Sequence, residues 1–266
     1  MVFNEPFRVF YQMNEFIRSF TLWRLALELG YSEIRSKYRR SILGPFWNTI
    51  TLAIMIFVLG PIYAVVLNVD SNLYILYLSI GIVSWWFFSS FVSDCVFLFL
   101  SESDYITQVN LPYPIYVFKI FIKNLLMFFH NSSIPLLLSI FVLGFGTHII
   151  LYPLFVIIFG LIFLPLGFVI AVFCLRYRDM APLVNSLLQL LLFATPVFWM
   201  SLSNRPEIQS IIAFNPFYYL IDMTRFPFAV FDSDHHFIVN LFLFITFWSL
   251  AFLTATKVKS KLVYWI

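Results

Sequence analysis

The protein has 266 residues, of which 62% are hydrophobic and only 11% are charged, and its mean hydropathy is +0.92. Soluble domains carry about a quarter of charged residues. A water-soluble fold could not hide this much apolar surface, so the composition excludes one and predicts an all-α membrane protein with lipid as its solvent. The net charge of +3 is small and gives no indication of a nucleic-acid partner.

The first forty residues carry a helical stripe of apolar side chains. Polar residues occupy the opposite face, and Pro6 is a helix-start signal. We interpret residues 3–29 as an amphipathic helix in the cytoplasmic membrane interface, although packing against the protein's own cytoplasmic side is the alternative. We therefore divide the protein into an N-terminal interfacial region, 1–40, and a transmembrane domain, 41–266. The stripe comprises Phe3, Phe7, Phe10, Met13, Ile17 and Phe20.

Six stretches are long and apolar enough to span a bilayer, which needs about 20 residues. Lysine and arginine concentrate before the first stretch, after the fourth and in the tail. Because cytoplasmic loops are enriched in these residues, both termini are predicted to be cytoplasmic in a multi-pass protein of the bacterial inner membrane. The predicted spans are 46–67, 73–98, 120–143, 149–175, 183–200 and 237–255.

Two segments between spans have their own helical signals. Residues 101–114, on the cytoplasmic side, predict a short capped helix that spacing alone does not distinguish from an ordinary loop helix. Residues 201–236, on the outer side, contain apolar pieces too short to span. Asn215 as a cap and Pro216 at the first helical position predict a new short helix. These pieces form either re-entrant outer helices or an interfacial loop.

Enzymatic chemistry has little support in this sequence. None of the eight glycines precedes a lysine, so there is no phosphate-binding loop for ATP. The histidines lack metal-ligand spacing, and Cys95 and Cys174 lie in apolar runs as small hydrophobic residues. We expect no enzyme, no catalytic residue, no metal and no cofactor in this chain.

One polar pair lies deep in the third predicted span. His130 and Asn131 are either pore-facing or joined to another helix of the bundle by a hydrogen bond, and the latter is favoured.

The aromatic fraction is 21%. Aromatic rings pack well on the C–H faces of sugars, so a row of them is chemically suited to line a path for a sugar chain. The candidate lining residues are Trp47, Tyr63, Trp85, Trp86, Phe87, Phe91 and Trp199.

A series of short motifs in order along the chain resembles a known family. The run from Tyr38 to Trp47, YRRSILGPFW, resembles the entry to the first span of ABC-2 type polysaccharide export permeases, the Wzm-like O-antigen exporters and their capsule and teichoic-acid relatives. The order of the set, with the six-span layout, is what makes it specific. The later matches are Asn124-Leu125 with His130-Asn131, the run 176–179, the run 195–199, Asn215-Pro216-Phe217 and Arg225.

The resemblance implies a homodimeric permease that works with two copies of a separate ABC ATPase, which binds ATP and Mg. It implies that residues 101–110 are a coupling helix docking on that ATPase, with Glu102, Asp104 and Tyr105 as contacts. It places Leu43 and Gly44 at the cytoplasmic substrate entrance, near Arg39 and Arg40. It makes Asn215, Pro216 and Phe217 part of an outer gate.

The substrate implied is an undecaprenyl-diphosphate-linked polysaccharide, of the O-antigen type. Arg39 and Arg40 suit its diphosphate, although positive-inside anchoring also explains them. Capsule or teichoic-acid export, or export of a drug or lipid, is the alternative. A membrane enzyme acting on a lipid-linked sugar is the weaker alternative, because no catalytic constellation is present.

Overall fold

The computed structural model describes residues 15–199, 212–228, 236–258 and 261–266, and in these residues it contains helices and no strands. Residues 15–21 are helical and lead into the first full helix. The labelled helices are α1 Trp23–Lys37, α2 Phe46–Leu67, α3 Ser71–Val96, α4 Leu98–Ser101, α5 Ser103–Gln108, α6 Pro114–Asn131, α7 Ser133–Leu143, α8 His148–Arg176, α9 Met180–Ala194, α10 Pro216–Arg225, α11 Phe237–Val258 and α12 Leu262–Trp265.

Five stretches of helix among the described residues are long and apolar enough to cross a membrane. They are α2, α3, α6 together with α7, α8 and α11, and they match five of the six predicted spans to within a few residues. Residues 120–143 were predicted as one span, whereas the helix begins earlier, at Pro114, and α6 gives way to α7 at Ser132. The chain is therefore a multi-pass membrane protein.

The fifth predicted span, 183–200, differs from the structure. Helix α9 ends at Ala194 after 15 residues. Thr195 is extended because the ring of Pro196 disfavours helical geometry in the residue before it. At 1.5 Å per residue the helix is about 22 Å long, short of a hydrocarbon core of about 30 Å.

The core is built around α3 and α8, whose middle sections are largely buried. Phe87, Phe121 and Phe163 meet there, with Phe87 and Phe163 rings 5.2 Å apart. Gly160 of α8 makes room for the cluster, because a Cβ at Gly160 would lie 2.8 Å from the Phe121 ring. Aromatic packing thus holds the two central helices to α6.

The N-terminal amphipathic helix falls partly outside the described residues, which begin at Glu15. In the described part Phe16 is buried against Phe168 and Trp248, and Phe20 packs on Phe118. Ile17, a member of the predicted stripe, is 52% exposed. The described turns therefore lie on the protein's own helices, as the packing alternative expects.

The segment between α9 and α11 contains the helix predicted from Asn215 and Pro216. The Asn215 side chain accepts a hydrogen bond from the Phe217 amide, and Pro216 is the first residue of α10. A short 3-10 turn, Phe226–Phe228, follows, and both pieces pack against α8. The other predicted apolar piece, 208–214, lies mostly outside the described residues, which resume at Ile212.

Candidate functional site

Two cavities lie on either side of one face of α3. The first, of about 380 Å³, is bounded by α1, α2, α3 and α6, and we call it the α6 cavity. The second, of about 420 Å³, is bounded by α2, α3, α9 and the residues after it, and we call it the α9 cavity. Trp86, Ser89 and Ser93 line both. These residues are spaced three and four apart, so they form a single stripe along the helix.

The walls of the α9 cavity combine aromatic and polar side chains. Trp85 and Trp86 supply ring faces, and the Ser93 hydroxyl donates a 2.9 Å hydrogen bond to the Asn185 side-chain oxygen. Gln189, one turn further along α9, is exposed at the same wall. This mixture suits a ligand with both apolar faces and many hydroxyl groups.

The α6 cavity is more polar, with three asparagines in its wall. Asn124 donates a 2.8 Å hydrogen bond to Asp94. Asn131 accepts a 2.8 Å hydrogen bond from Thr49 of α2. This is the interhelical bond that the sequence favoured for the His130–Asn131 pair, and Asn131 also faces the cavity. His130 instead packs edge-on against Phe46, with ring centroids 4.4 Å apart.

A network of five charged side chains, which we call the charge ladder, borders the α6 cavity. Lys119 lies 2.6 Å from Glu102 and 3.2 Å from Glu33. Lys123 lies 2.7 Å from Glu33 and 2.9 Å from Asp94. Burial alone would raise the pKa of Glu33, but Lys123 and then Lys119 outweigh it and hold that pKa below its usual value. Glu33 is thus a carboxylate shared by two ammonium groups.

The predicted coupling residues fall on different sides of the loop between α3 and α6. Glu102 precedes α5 and turns inward to Lys119, so its side chain belongs to the charge ladder. Asp104 and Tyr105 lie on α5 and are exposed, while Ile106 anchors the helix from its buried side. Of the three, only Asp104 and Tyr105 present a surface to a partner.

The predicted entrance residues form an exposed turn between α1 and α2. Arg39, Arg40 and Leu43 are exposed, and Gly44 adopts a left-handed conformation with φ of +56°. The Gly44 amide donates a 3.0 Å hydrogen bond to the Ser41 hydroxyl, which closes the turn. The four residues line neither cavity. Their neighbours Lys37 and Tyr38 do line the α6 cavity, which the turn therefore adjoins.

The predicted aromatic lining divides between cavity walls and core. Trp85 and Trp86 line cavities, and Phe87 reaches the α6 cavity from within the phenylalanine cluster. Phe91 lines neither cavity, because its ring is fully buried between Phe121 and Phe163 in the core.

Three other predicted lining residues also line neither cavity. Trp47 is 54% exposed on α2. Tyr63 stacks on Phe198 with ring centroids 6.2 Å apart, and Trp199 donates a 3.1 Å hydrogen bond to the Phe193 carbonyl.

Asn215 ties the end of α9 to the start of α10. Besides capping α10, its amide donates hydrogen bonds of 2.9 Å to the Thr195 hydroxyl and 3.2 Å to the Ala194 carbonyl. Phe217 packs against Trp85, with ring centroids 6.2 Å apart. The Asn215-Pro216-Phe217 motif thus connects the end of α9 directly to a wall of the α9 cavity.

Arg225, the last member of the motif series, is buried, with 1% of its surface exposed. Its guanidinium lies 3.6 Å from the centre of the Tyr77 ring of α3. Gly81, one turn along α3, leaves the space that the guanidinium occupies. Beside it, the Ser84 hydroxyl bonds to Thr224 at 3.0 Å. Arg225 is therefore a polar contact between α10 and the central helix.

Sequence reasoning missed the charge ladder. Lys119, Lys123 and Asp94 lie near the ends of predicted spans, where snorkelling explains a charge without a partner. The cost of a charge at that depth was the available signal that partners exist. Glu33 could not be identified, because it lies 90 residues from Lys123 in sequence.

Comparison with known proteins gives a family match and several similar proteins. Residues 25–229 match the family described as ABC-2 type transporter. An O-antigen export system permease protein, RfbA, from Myxococcus xanthus is 27% identical over 200 residues, covering 72% of this chain and 75% of that protein. Two proteins of the same name from Klebsiella pneumoniae are each 22% identical, over 73% of this chain and 76% of their own length. The matched region contains both cavities and the charge ladder.

Proposed function

Because this chain belongs to the ABC-2 type transporter family, we propose that it is the membrane permease of an exporter of undecaprenyl-diphosphate-linked polysaccharide of the O-antigen type. Members of this family are membrane subunits of transporters rather than enzymes. In our proposal the polysaccharide crosses the bacterial inner membrane, and a separate subunit hydrolyses ATP. The names of the three relatives support the choice of O-antigen as substrate class.

The observation that carries the proposal is the α3 face shared by the two cavities. Trp86 offers a ring face, and Ser89 and Ser93 offer hydroxyls at one-turn spacing. A sugar chain has apolar C–H faces and many hydroxyls, and both find partners along this stripe. A small hydrophobic drug could pack on Trp86 but would make no use of the acceptor lone pairs that the Ser89 and Ser93 hydroxyls retain beyond the hydrogen bonds they donate.

The energy for export comes, in our proposal, from two copies of an ABC ATPase docked on a homodimer of this chain. Asp104 and Tyr105 support α5 as the contact, because both are exposed on a short helix between two spans. Bound ATP and Mg belong to that partner. Movement of α5 on ATP binding would then be passed to the membrane helices.

We further propose six crossings with both termini in the cytoplasm. The fifth crossing along the chain, which brings the total to six, is α9 completed by the residues that follow it, since α9 alone is about 22 Å long. The concentration of lysine and arginine at one set of loop ends supports this orientation. In the same scheme α10 lies toward the outer side, and the Arg39-to-Gly44 turn receives the diphosphate beside the α6 cavity.

Deletion of the gene tests the substrate. We expect long lipid-linked glycan to accumulate inside the cell and surface polysaccharide to fall, because synthesis continues without export. Restoring the wild-type gene should reverse both effects. Unchanged surface polysaccharide in the deletion strain, together with lost efflux of a drug or lipid, would instead support the alternative substrate class.

A substitution in α5 tests the ATPase contact. Tyr105→Ala should lower both export and co-purification of the ATPase, because Tyr105 is 48% exposed on the proposed docking helix. Tyr31→Ala is the matched control, since Tyr31 is 59% exposed on α1. Equal ATPase binding by the two variants would remove the support for α5 as the docking element.

A further inference from the structure

The charge ladder connects two places that the proposed function requires to communicate. One end is Glu102, the residue that immediately precedes α5. The other end is Asp94, which lies in the wall of the α6 cavity. Between them, each ion pair shares a residue with the next, in the order Glu102, Lys119, Glu33, Lys123 and Asp94.

The two lysines at the centre of the ladder are held in place by their partners. The Lys119 and Lys123 side chains are only 8% and 12% exposed, so water contributes little to stabilising their charges. An ammonium at such a site is costly unless a carboxylate stays beside it. Displacement of one partner therefore favours movement of the others, and the ladder responds as a unit.

Glu33 is the link between the two halves. One oxygen receives a hydrogen bond from Lys123 at 2.7 Å, and the other lies 3.2 Å from Lys119. Glu33 is carried by α1, which packs closely on α6 at Gly30. Lys119 forms no ion pair with Asp94, and Lys123 forms none with Glu102. The ion-pair path between α5 and the cavity therefore runs through Glu33.

We propose that the charge ladder couples the position of α5 to the shape of the α6 cavity, with Glu33, Lys119 and Lys123 as positioning residues. The inference rests on the proposed function in one respect, which is that α5 receives the motion of the ATPase. When α5 moves, Glu102 displaces Lys119, its ion-pair partner. Glu33 follows Lys119 and in turn displaces Lys123 and Asp94. The cavity wall then shifts without any direct contact between α5 and the cavity.

The substitution Glu33→Gln cuts the ladder at its centre with little change in shape. Glutamine is neutral, and an amide donor replaces one of the two oxygens, so one lysine faces a donor where it had a carboxylate oxygen and both lose the negative charge. The end pairs Lys119–Glu102 and Lys123–Asp94 remain. Glu28→Gln is the matched control, because Glu28 is exposed on the same helix and forms no ion pair with a described residue.

The assay uses the complex of the full chain with its ATPase in lipid nanodiscs and needs no glycan. A reporter cysteine, Ser90→Cys, is introduced in the wall of the α6 cavity. The native Cys95 and Cys174 do not line this cavity, and because both are buried we expect them to react little with the label. Its labelling rate is measured with a water-soluble maleimide, before and after the ATPase is trapped with ATP and vanadate. With the ladder intact, trapping should change the rate by about fivefold or more, the lower range of measured couplings between sites.

The expected result is that Glu28→Gln responds to trapping as the otherwise native complex does, whereas Glu33→Gln loses the response. A response of native size in Glu33→Gln overturns the inference, and so does a native complex whose labelling ignores trapping. If Glu33→Gln does not assemble, Glu102→Gln cuts the ladder at its α5 end and must give the same loss. If the reporter behaves as expected but the native complex exports no glycan, the proposed substrate is refuted, whereas the proposed role of the charge ladder is not.

Discussion

Enlarging Gly30 should separate α1 from α6. A Cβ at Gly30 would lie 3.0 Å from the Lys119 carbonyl oxygen, 3.3 Å from the Lys123 amide nitrogen and 3.7 Å from an Ile122 methyl group. The first two atoms are backbone atoms of one helix, so they cannot move aside as a flexible side chain would. The added group must instead push the whole of α1 outward.

The size of the effect follows from two opposing contributions. Replacing glycine by alanine inside a helix gains about 1 kcal/mol in helix propensity. Overpacking in a tight contact costs about 1–3 kcal/mol. We therefore expect Gly30→Ala to lower the free energy of unfolding by about 0–2 kcal/mol. Gly30→Val should lower it further, because valine is larger and has a lower helix propensity than alanine.

The measurement is the unfolding of the purified protein in detergent micelles, followed by loss of helical circular dichroism. Ser36→Ala and Ser36→Val are the matched controls, because Ser36 is exposed on α1 and reports helix propensity alone. The same Gly30 variants should weaken the nucleotide response of the Ser90→Cys reporter, since Glu33 lies one turn beyond Gly30. A Gly30→Val protein as stable as the wild type would refute the close contact on which this reasoning depends.

Substitutions at four further positions test the surroundings of the cavities by the same unfolding measurement, and the variant of Trp86 is also tested by export. Asn215→Ala should cost about 1–2 kcal/mol through loss of a helix cap, and Asn215→Asp, which keeps the acceptor for the Phe217 amide, should cost less. Tyr77→Leu should destabilise more than Tyr77→Phe, because only leucine removes the ring beneath the buried Arg225, an interaction of about 2 kcal/mol when desolvated. Phe91→Ala should cost about 3–5 kcal/mol as a core truncation. Trp86→Ala should lower export at a smaller cost in stability, because Trp86 borders both cavities. Equal costs in stability for Phe91→Ala and Trp86→Ala would contradict the assignment of Phe91 to the core and Trp86 to the cavity walls.

Most of the helical layout could be predicted because long apolar runs leave lipid as the only suitable solvent. The spans Phe46–Leu67 and Phe237–Val258 could be predicted without tertiary information, since few charges interrupt these apolar runs. Helix α9 was predicted too long because the apolar composition continues through Val197 and Phe198, while the backbone turns at Pro196. Composition determines which residues can lie in lipid, whereas local backbone geometry determines where a helix ends.

The candidate site was predictable in type more than in position. Asn215 and Pro216 announced a helix start through local hydrogen bonding, and the helix begins there. Trp86 and Phe91 looked equivalent in sequence, yet one borders both cavities and the other is sealed in the core. Five residues apart on α3, they face different neighbours, and sequence does not say which face meets α8 and which meets α9.

By itself, the sequence of this protein determined its solvent, its helical class, most of its spans and its family motifs, because these depend on composition and on neighbours a few residues apart. Only the tertiary structure decided the partners of its buried charges. Glu33, Lys119, Lys123 and Asp94 come from three helices, and Arg225 meets Tyr77 from a fourth. Such pairs form where packed helices bring distant residues together, and the cost of an unpaired charge in lipid requires that a partner exists without identifying it.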